Sequence, residues 1–322
     1  MEFFNRFNDD LKWVFKSCKD IISNYPEGLK KRGLDYLAKY NVFNEDAGKN
    51  YICYLLPFWV NYNCDIDKDT CRKISLANTF MMLFAFIQDD VMDGELDSSD
   101  VANMLSLGNL FFTDFIEAYR EIFGSDMKFW EYFRECMMKW TKMVAYEKRG
   151  YKAGCDLLND EIISLASGKA GLVKLAAAAV CILSGKEEML SSFCMAVDRV
   201  LYSLQIADDY VDWKDDLKGR STNLLLYEAM KAVGIDDISS LKETHVKREL
   251  IFGGILNRFA QVLYKNSNKL EKIPLGDNPY FKGFNLHLLS FIEAEARKYN
   301  ERKRAAELGG FFYWIEKNTV NS

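Results

Sequence analysis

The sequence is poor in proline, and this scarcity bears directly on the fold. Only four of the 322 residues are proline, and none occurs between Pro57 and Pro274. Proline is excluded from helix interiors, so a stretch this long without it favours many helices. Strand signals are correspondingly weak, since apolar and polar residues rarely alternate. We therefore expect an all-α protein.

Histidine is scarce too, and cysteine does not occur at metal-binding spacing. The two histidines, His245 and His287, are isolated, so catalysis that rests on histidine is not expected. None of the eight cysteines forms a Cys-x-x-Cys pair. A zinc site and a disulfide framework are therefore both disfavoured in a chain of this length. Reduced, buried thiols in a cytoplasmic protein fit the pattern better.

Long hydrophobic runs and basic tracts are missing as well. The longest apolar runs cover 80–87 and 175–183, far short of the roughly 20 residues that cross a bilayer. The N-terminus lacks the basic and apolar regions of a cleavable signal peptide. The net charge is −5, and no basic tract stands out. We expect no integral membrane segment and no nucleic-acid partner.

What the sequence does have is apolar residues at helical spacing. The pattern recurs in seven segments: 73–93, 109–123, 127–148, 157–183, 187–213, 247–266 and 283–305. Glycines and short loops separate these segments, and no Pro- or Ser-rich linker interrupts the chain. The sequence predicts about ten helices in a single-domain bundle that spans residues 1–322.

The five-residue pattern Asp-Asp-x-x-Asp occurs twice, each time at the end of an apolar helical segment. The first aspartate motif lies in FIQDDVMD (86–93) and the second in LQIADDYVD (204–212). One such motif in an all-α protein is usually a solvated helix end. Two copies that each close an apolar helix favour a shared functional site. A calcium-binding EF-hand loop over 89–100 is disfavoured, because Val91 stands at its third position.

The spacing of the aspartates places carboxylates together on a helix. Asp89 and Asp93 are four residues apart and share one face, as do Asp208 and Asp212, and we expect Asp216 to continue that second face. Neighbouring carboxylates repel each other, and a divalent cation relieves that repulsion without protonation.

Oxygen ligands alone indicate a hard cation at this site. Carboxylates without nitrogen or sulfur partners favour Mg²⁺, with Mn²⁺ as a substitute. Mg²⁺ typically takes one or two carboxylates, and substrate phosphate completes its shell. The motifs therefore predict a polyphosphate substrate. The candidate metal ligands are Asp89, Asp90, Asp93, Asp208, Asp209, Asp212 and Asp216.

From about residue 45 to 300, the chain resembles the trans-isoprenyl diphosphate synthases and the class I terpene synthases that share their helical fold. The resemblance rests on both aspartate motifs, on LSLGNLFFTDFIEAYREI (105–122), on LASGKAGLVKLA (165–176) and on DWKDDLKGRSTNL (212–224). It implies the isoprenoid synthase fold, with helices around a central apolar cavity and with homodimers common. It also implies a prenyl diphosphate substrate, about three Mg²⁺ ions, and Asp89, Asp93 and Asp208 as catalytic residues.

The resemblance also suggests which side chains bind the substrate. Basic residues would bind the diphosphate, Gln205 would lie near the leaving group, and Phe84 would line the cavity below the first motif. The alternatives are solvated lysine and arginine side chains on helix faces, and plain core packing for the phenylalanine. The candidates are Phe84, Lys169, Gln205, Lys218, Arg220 and Arg297.

The chain departs from the chain-elongating synthases where they bind isopentenyl diphosphate. Those enzymes use a Gly-Lys-x-x-Arg segment and a basic pair. Here Gly48 and Lys49 remain, but Ile52 replaces the arginine and the acidic stretch 95–99 replaces the pair. Such a site is not expected to hold a diphosphate.

The prediction is therefore a class I terpene synthase, a carbon–oxygen lyase. It would ionise one linear prenyl diphosphate, farnesyl or geranylgeranyl diphosphate, and cyclise the cation. The main alternative is a chain-elongating trans-prenyl diphosphate synthase. A head-to-head condensing enzyme and an inactive regulatory helical subunit are further alternatives.

Overall fold

The computed structural model describes residues 2–48, 50–94, 96–147, 163, 167–168 and 170–310. These residues contain α-helices, short 3₁₀ turns and one π-helical turn, and no strand. The α-helices are α1 (Glu2–Asn5), α2 (Asn8–Ile22), α3 (Glu27–Tyr40), α4 (Tyr51–Cys64), α5 (Lys68–Asp93), α6 (Val101–Phe123), α7 (Met127–Glu147), α8 (Lys174–Ser184), α9 (Leu190–Gly219), α10 (Leu224–Val233), α11 (Glu243–Arg248), α12 (Ile255–Leu270) and α13 (Tyr280–Glu307).

The chain divides into two compact units, each assembled from separate stretches. The first unit comprises Met1–Trp140, Gly171–Met195 and Leu275–Tyr280, and the second comprises Thr141–Ala170, Ala196–Pro274 and Phe281–Ser322. Helices α1 to α6 and α8 lie in the first unit, and α10 to α12 lie in the second. The expectation of a single domain stays a prediction.

In the first unit, α5 is the helix that carries the first aspartate motif. Its N-terminus is capped by Asp67, whose carboxylate accepts a hydrogen bond of 2.9 Å from Thr70 N. Its apolar face, with Ile74, Ala77 and Phe80 fully buried, packs against α2, α4 and α6. Gly94 ends the helix with a left-handed backbone, φ 72°, a conformation that glycine adopts without a side-chain clash. The motif therefore sits in the last turn of a firmly packed helix.

In the second unit, a buried polar network joins three helices. Ser203 of α9 donates a hydrogen bond of 2.5 Å to Asn285 Oδ1 of α13. Asn266 Nδ2 of α12 donates one of 2.8 Å to Ser203 Oγ. All three side chains are buried. Because buried polar groups are costly unless paired, this network fixes how α9 lies against its two neighbours.

The structure confirms the predicted all-α class. Thirteen α-helices occur among the described residues, against about ten expected from apolar spacing. The additional short helices, α1 and α11, hold 4 and 6 residues, too few to show a period. Most of the predicted segment 157–183 before Lys174 lies outside the described residues. Among those that are described, no helix is both long and apolar enough to cross a membrane.

Candidate functional site

The first aspartate motif lies where α5 meets the end of α3. Asp89 and Asp90 are half-buried. Tyr36 of α3 donates a hydrogen bond of 2.9 Å from its hydroxyl to Asp90 Oδ2. Burial, followed by the neighbouring Tyr40 and Asp90, raises the pKa of Tyr36 well above its usual range, so the hydroxyl keeps its proton. The side chain of Asp93 lies outside the described part of the structure.

The end of α5 is an electrostatically unfavourable place for acids. The last helical carbonyls carry a partial negative charge. The motif adds carboxylates to the same turn, and that turn contains no basic residue. A divalent cation bound at Asp89 would offset both sources of negative charge.

The second aspartate motif lies on α9 in the second unit, where the helix presents two kinds of carboxylate. Asp208 and Asp212 are exposed, whereas Asp209 is 3% exposed and Asp216 is half-buried. Asp209 and Asp216 are seven residues apart, which is nearly two full helical turns, so they lie on nearly the same side of α9. The predicted continuation of the Asp208–Asp212 face to Asp216 stays a prediction.

Asp209 is held by hydrogen bonds within the second unit. Its Oδ1 atom accepts a bond of 2.6 Å from Gln205 Nε2, one turn earlier on α9. Its Oδ2 atom accepts a bond of 2.7 Å from Leu224 N, at the first turn of α10. Gln205, the candidate for the leaving-group environment, therefore contacts the buried aspartate of the motif.

Asn223 is the N-cap of α10 and bonds to the second motif as well. Its Oδ1 atom accepts from Leu225 N at 2.8 Å and from Leu226 N at 3.1 Å. Its Nδ2 atom donates to Asp209 O at 2.8 Å and to Asp216 Oδ2 at 2.7 Å. The start of α10 and two aspartates of α9 thus share one buried amide.

The candidate phosphate-binding cations lie in different settings. Arg220 is exposed and follows the last residue of α9 with a left-handed backbone, φ 57°. Lys218 Nζ lies 2.8 Å from Asp215 Oδ1, and both side chains are exposed. Arg297 is an exposed residue of α13. Lys169 lies outside the described residues.

Phe84 lies in the first unit on the face of α5 that looks toward α6 and α7. Its ring centroid is 4.8 Å from that of Phe112 and 5.9 Å from that of Trp140. Phe84 is half-buried. Phe86, two residues on, contacts Tyr40 of α3 instead, at 4.9 Å. That Phe84 lines an apolar cavity stays a prediction.

The basic segment of α13 is linked to the second motif. Tyr210 of α9 donates a hydrogen bond of 2.6 Å to Glu295 Oε2. Lys298 lies 2.5 Å from the other oxygen of Glu295. Hydrogen bonds from Lys298 and Tyr210 lower the pKa of Glu295, which keeps it ionised. The predicted candidate Arg297 is therefore on a helix turn that is fixed next to the motif-bearing helix.

The donor chemistry of both motifs suits a hard divalent cation. The accessible groups are carboxylates, with Asp89 in the first unit and Asp208 and Asp212 in the second. Across the described ranges, no three His, Cys, Asp or Glu side chains form a metal-holding group. Mg²⁺ needs only one or two carboxylates when phosphate and water complete its shell. The assignment of the seven aspartates as metal ligands stays a prediction.

The described helices form an all-α fold, and comparison with solved structures identifies it as the isoprenoid synthase fold. The chain is similar to the geranylgeranyl pyrophosphate synthase from Lactobacillus brevis, with TM-score 0.65, 13% identity, and coverage of 89% of this chain and 97% of that one. It is similar to a polyprenyl synthase from Caulobacter crescentus complexed with calcium and isoprenyl diphosphate, with TM-score 0.64, 18% identity, and coverage of 90% and 96%.

A third similar structure is the geranylgeranyl pyrophosphate synthetase from the archaeon Geoglobus acetivorans, with TM-score 0.62, 16% identity, and coverage of 90% and 99%. No protein-family model matches the chain, and no curated protein matches it in sequence. The chain therefore has the isoprenoid synthase fold along most of its length.

The predicted enzyme class is corrected by this comparison. The sequence predicted a class I terpene synthase, a lyase, but the similar structures are prenyl diphosphate synthases, which are transferases. The prediction relied on two departures, Ile52 in place of an arginine and the acidic stretch 95–99 in place of a basic pair. Ile52 is 1% exposed inside α4, so packing dictates its apolar type. Burying an unpaired arginine there would be costly.

Tyr36 and Asn223 are site residues that the sequence did not reveal. Asn223 could have been found as a helix N-cap, since it directly precedes the apolar run Leu224–Leu226. Nothing in the sequence indicated that Asn223 would also form hydrogen bonds to α9. Tyr36 stands 54 residues before Asp90, and nothing in its local sequence connects the two.

Proposed function

We propose that the protein is a chain-elongating trans-prenyl diphosphate synthase. It would transfer an allylic prenyl group from its diphosphate to isopentenyl diphosphate, releasing diphosphate. The observation that carries this proposal is the shared fold with three prenyl diphosphate synthases across about nine-tenths of the chain. The two aspartate motifs support it, because carboxylates spaced one turn apart on a helix are suited to a metal-bound diphosphate.

The proposed roles start from the aspartate motif of each unit. Asp89 and Asp93 on α5 are the proposed metal ligands of the first unit, and Asp208 on α9 is that of the second, with Mg²⁺ as the proposed ion. A bound divalent metal would neutralise charge on the departing diphosphate. The calcium and isoprenyl diphosphate bound by the Caulobacter structure support this choice of substrate and metal class. Arg220 and Lys169 would bind phosphate oxygens.

The buried aspartates would act differently. Both oxygens of Asp209 accept hydrogen bonds from within the second unit, and Asp90 accepts one from Tyr36. We therefore propose that the second aspartate of each motif anchors its helix, while the first aspartate binds metal. A metal at Asp209 would have to compete with a backbone N–H donor at the positive end of α10.

The proposed reaction is tested by product analysis. The protein is incubated with Mg²⁺ and geranyl, farnesyl or geranylgeranyl diphosphate, with and without isopentenyl diphosphate, and products are identified by mass spectrometry. Longer prenyl diphosphates that form only when isopentenyl diphosphate is present would support the proposal. Hydrocarbons or alcohols formed equally well from one allylic diphosphate alone would overturn it.

Three aspartate variants separate metal binding from anchoring. Asp208→Asn should abolish Mg²⁺-dependent turnover while leaving stability nearly unchanged, because Asp208 is exposed. Asp209→Asn replaces a buried acceptor and should lower the free energy of unfolding by about 1–3 kcal/mol. Asp215→Asn, an exposed neighbour outside the motif, is the control and should retain turnover. Full activity of Asp208→Asn would contradict the assignment.

A further inference from the structure

We propose that Asn223 is a positioning residue for the second aspartate motif. Its side-chain amide sets the plane of the Asp216 carboxylate and ties α9 to the start of α10. This inference rests on the proposed function in one respect: the motif must bind a divalent metal and a diphosphate. It adds a residue outside both motifs to the machinery of the site.

The first argument is that the hydrogen-bonding capacity of Asn223 is fully used. A side-chain amide offers two donor hydrogens and two acceptor lone pairs. Asn223 makes four bonds of 2.7–3.1 Å with these groups. The residue is 3% exposed. A side chain that is buried and hydrogen-bonded through all its polar groups is held in one orientation. It therefore also restricts the orientation of the groups to which it is bonded.

The second argument is that capping alone would not require an amide. The N-cap bonds to Leu225 N and Leu226 N need only an oxygen, and serine or aspartate supplies one equally well. The Nδ2 atom has a separate task, because it donates to Asp216 Oδ2 at 2.7 Å and to Asp209 O at 2.8 Å. Asparagine is the residue that combines a cap with a donor pair in this position.

The third argument concerns what Asp216 does once it is fixed. One of its oxygens accepts from Asn223, so the carboxylate cannot rotate without breaking a charge-assisted hydrogen bond. Whether Asp216 binds metal directly or accepts from metal-bound water, its plane determines that contact. Hydrogen-bond partners of this kind typically contribute about 10–100-fold to metal affinity.

The test uses Asn223→Ser, which retains a capping oxygen and loses the Nδ2 donor. Mn²⁺ is titrated into the full-length protein with inorganic pyrophosphate, and free Mn²⁺ is followed by electron paramagnetic resonance. We expect the apparent Mn²⁺ affinity to fall by about tenfold or more. Thermal unfolding without metal should shift to a lower temperature, because two buried hydrogen bonds to α9 are lost although the cap is preserved. Mn²⁺ affinity equal to that of the wild type would overturn the inference.

Two further variants control the experiment. Asp67→Ala removes the N-cap of α5, at the end of that helix opposite to its motif, and should lower stability without changing Mn²⁺ affinity. Asp216→Asn should weaken Mn²⁺ binding as Asn223→Ser does, and the double variant should be no weaker than either single variant, because Asn223 acts through Asp216. Additive losses would show that Asn223 does not act through Asp216, contrary to the inference.

The measurement also distinguishes this inference from the proposed function. Mn²⁺–pyrophosphate binding requires no prenyl transfer. Suppose that the wild-type protein binds Mn²⁺ and pyrophosphate but does not lengthen any prenyl diphosphate. This result would overturn the proposed reaction, and the Mn²⁺ titration of Asn223→Ser would still test the role of Asn223. A wild-type protein that binds neither would overturn the metal site and this inference together.

Discussion

The hydroxyl of Tyr36 donates a hydrogen bond to Asp90, which is 54 residues further along the chain. The second motif has a counterpart, since Leu224 N at the start of α10 donates to Asp209. In each motif, therefore, the second aspartate is held by a donor from another helix. The aspartate before it is the more accessible member in the second motif, where Asp208 is exposed and Asp209 is buried.

Loss of the Tyr36 hydroxyl should affect both stability and metal dependence. Tyr36→Phe removes a hydrogen bond to a carboxylate and should lower the free energy of unfolding by about 1–3 kcal/mol. It should also raise the Mg²⁺ concentration needed for half-maximal turnover, because Asp90 no longer fixes the last turn of α5. Urea denaturation and Mg²⁺ titration of activity measure the two effects.

Tyr25→Phe is the matched control for this prediction. Tyr25 also donates its hydroxyl to a part-buried aspartate of the first unit, Asp114, which lies outside the motif. Its loss should reduce stability and leave the Mg²⁺ titration unchanged. Equal shifts in the Mg²⁺ titration for both variants would show that stability alone explains the effect of Tyr36→Phe.

Arg220 should lower the stability of the folded protein and strengthen phosphate binding. Its left-handed backbone, φ 57°, is one that glycine adopts more readily at a helix end. Arg220→Gly should therefore raise the free energy of unfolding by about 1 kcal/mol, because relief of the left-handed strain outweighs the greater freedom of glycine in the unfolded chain. Pyrophosphate should bind more weakly to this variant. Thermal unfolding and calorimetric titration with pyrophosphate measure the two changes. Lys218→Met is the comparison, and weaker binding in that variant alone would assign the phosphate contact to Lys218.

Phe84 should limit the length of the product. Its ring lies against Phe112 and Trp140, about a turn and a half before the first motif. Phe84→Ala removes that ring and should shift products toward longer prenyl diphosphates, as read by mass spectrometry. Phe86→Ala removes a ring that contacts Tyr40 instead and should leave the product length as it is. Identical product profiles for all three proteins would refute this role.

Asp114 should give stability a pH dependence of predictable sign. Burial raises the pKa of Asp114 above its usual range, although the hydrogen bond from Tyr25 opposes this shift. The folded state therefore binds the proton more tightly than the unfolded chain does, and this contribution is lost as pH rises through the folded pKa. Asp114→Asn does not titrate. Its stability relative to the wild type should therefore increase as the pH rises above about 4, the usual pKa of aspartate in an unfolded chain.

Urea denaturation at a series of pH values measures this difference. Asp20→Asn alters an exposed carboxylate of α2 and serves as the control. A difference between Asp114→Asn and the wild type that stays constant across the pH range would contradict the prediction.

Much of the fold could be predicted because its signals are local. Apolar spacing located α5, α6, α7 and α9, and Gly94 and Gly185 mark helix ends with left-handed backbones. The short helices and the division into two units were not predicted. Four to six residues contain too little of a helical period, and the units depend on contacts between distant parts of the chain.

The candidate site could be predicted only in part, for a geometric reason. The motifs themselves are readable, but the role of each aspartate depends on its helical angle and on its partners. Asp216 is eight residues after Asp208 and is rotated from it by about 80° around the helix. It is seven residues after Asp209 and shares that stripe and the amide of Asn223. The burial of Ile52 depends on how α4 packs against other helices, which the sequence does not show.

The acidic end of α5 has a consequence for handling the protein. Its last turn combines carboxylates with the negative pole of the helix and contains no base. If a bound divalent cation supplies the counter-charge of this turn, a buffer with EDTA withdraws it, and proteases should then cleave near Gly94 faster in EDTA than in Mg²⁺. Samples purified with a chelator would then contain nicked chains, and their low activity would reflect preparation rather than chemistry.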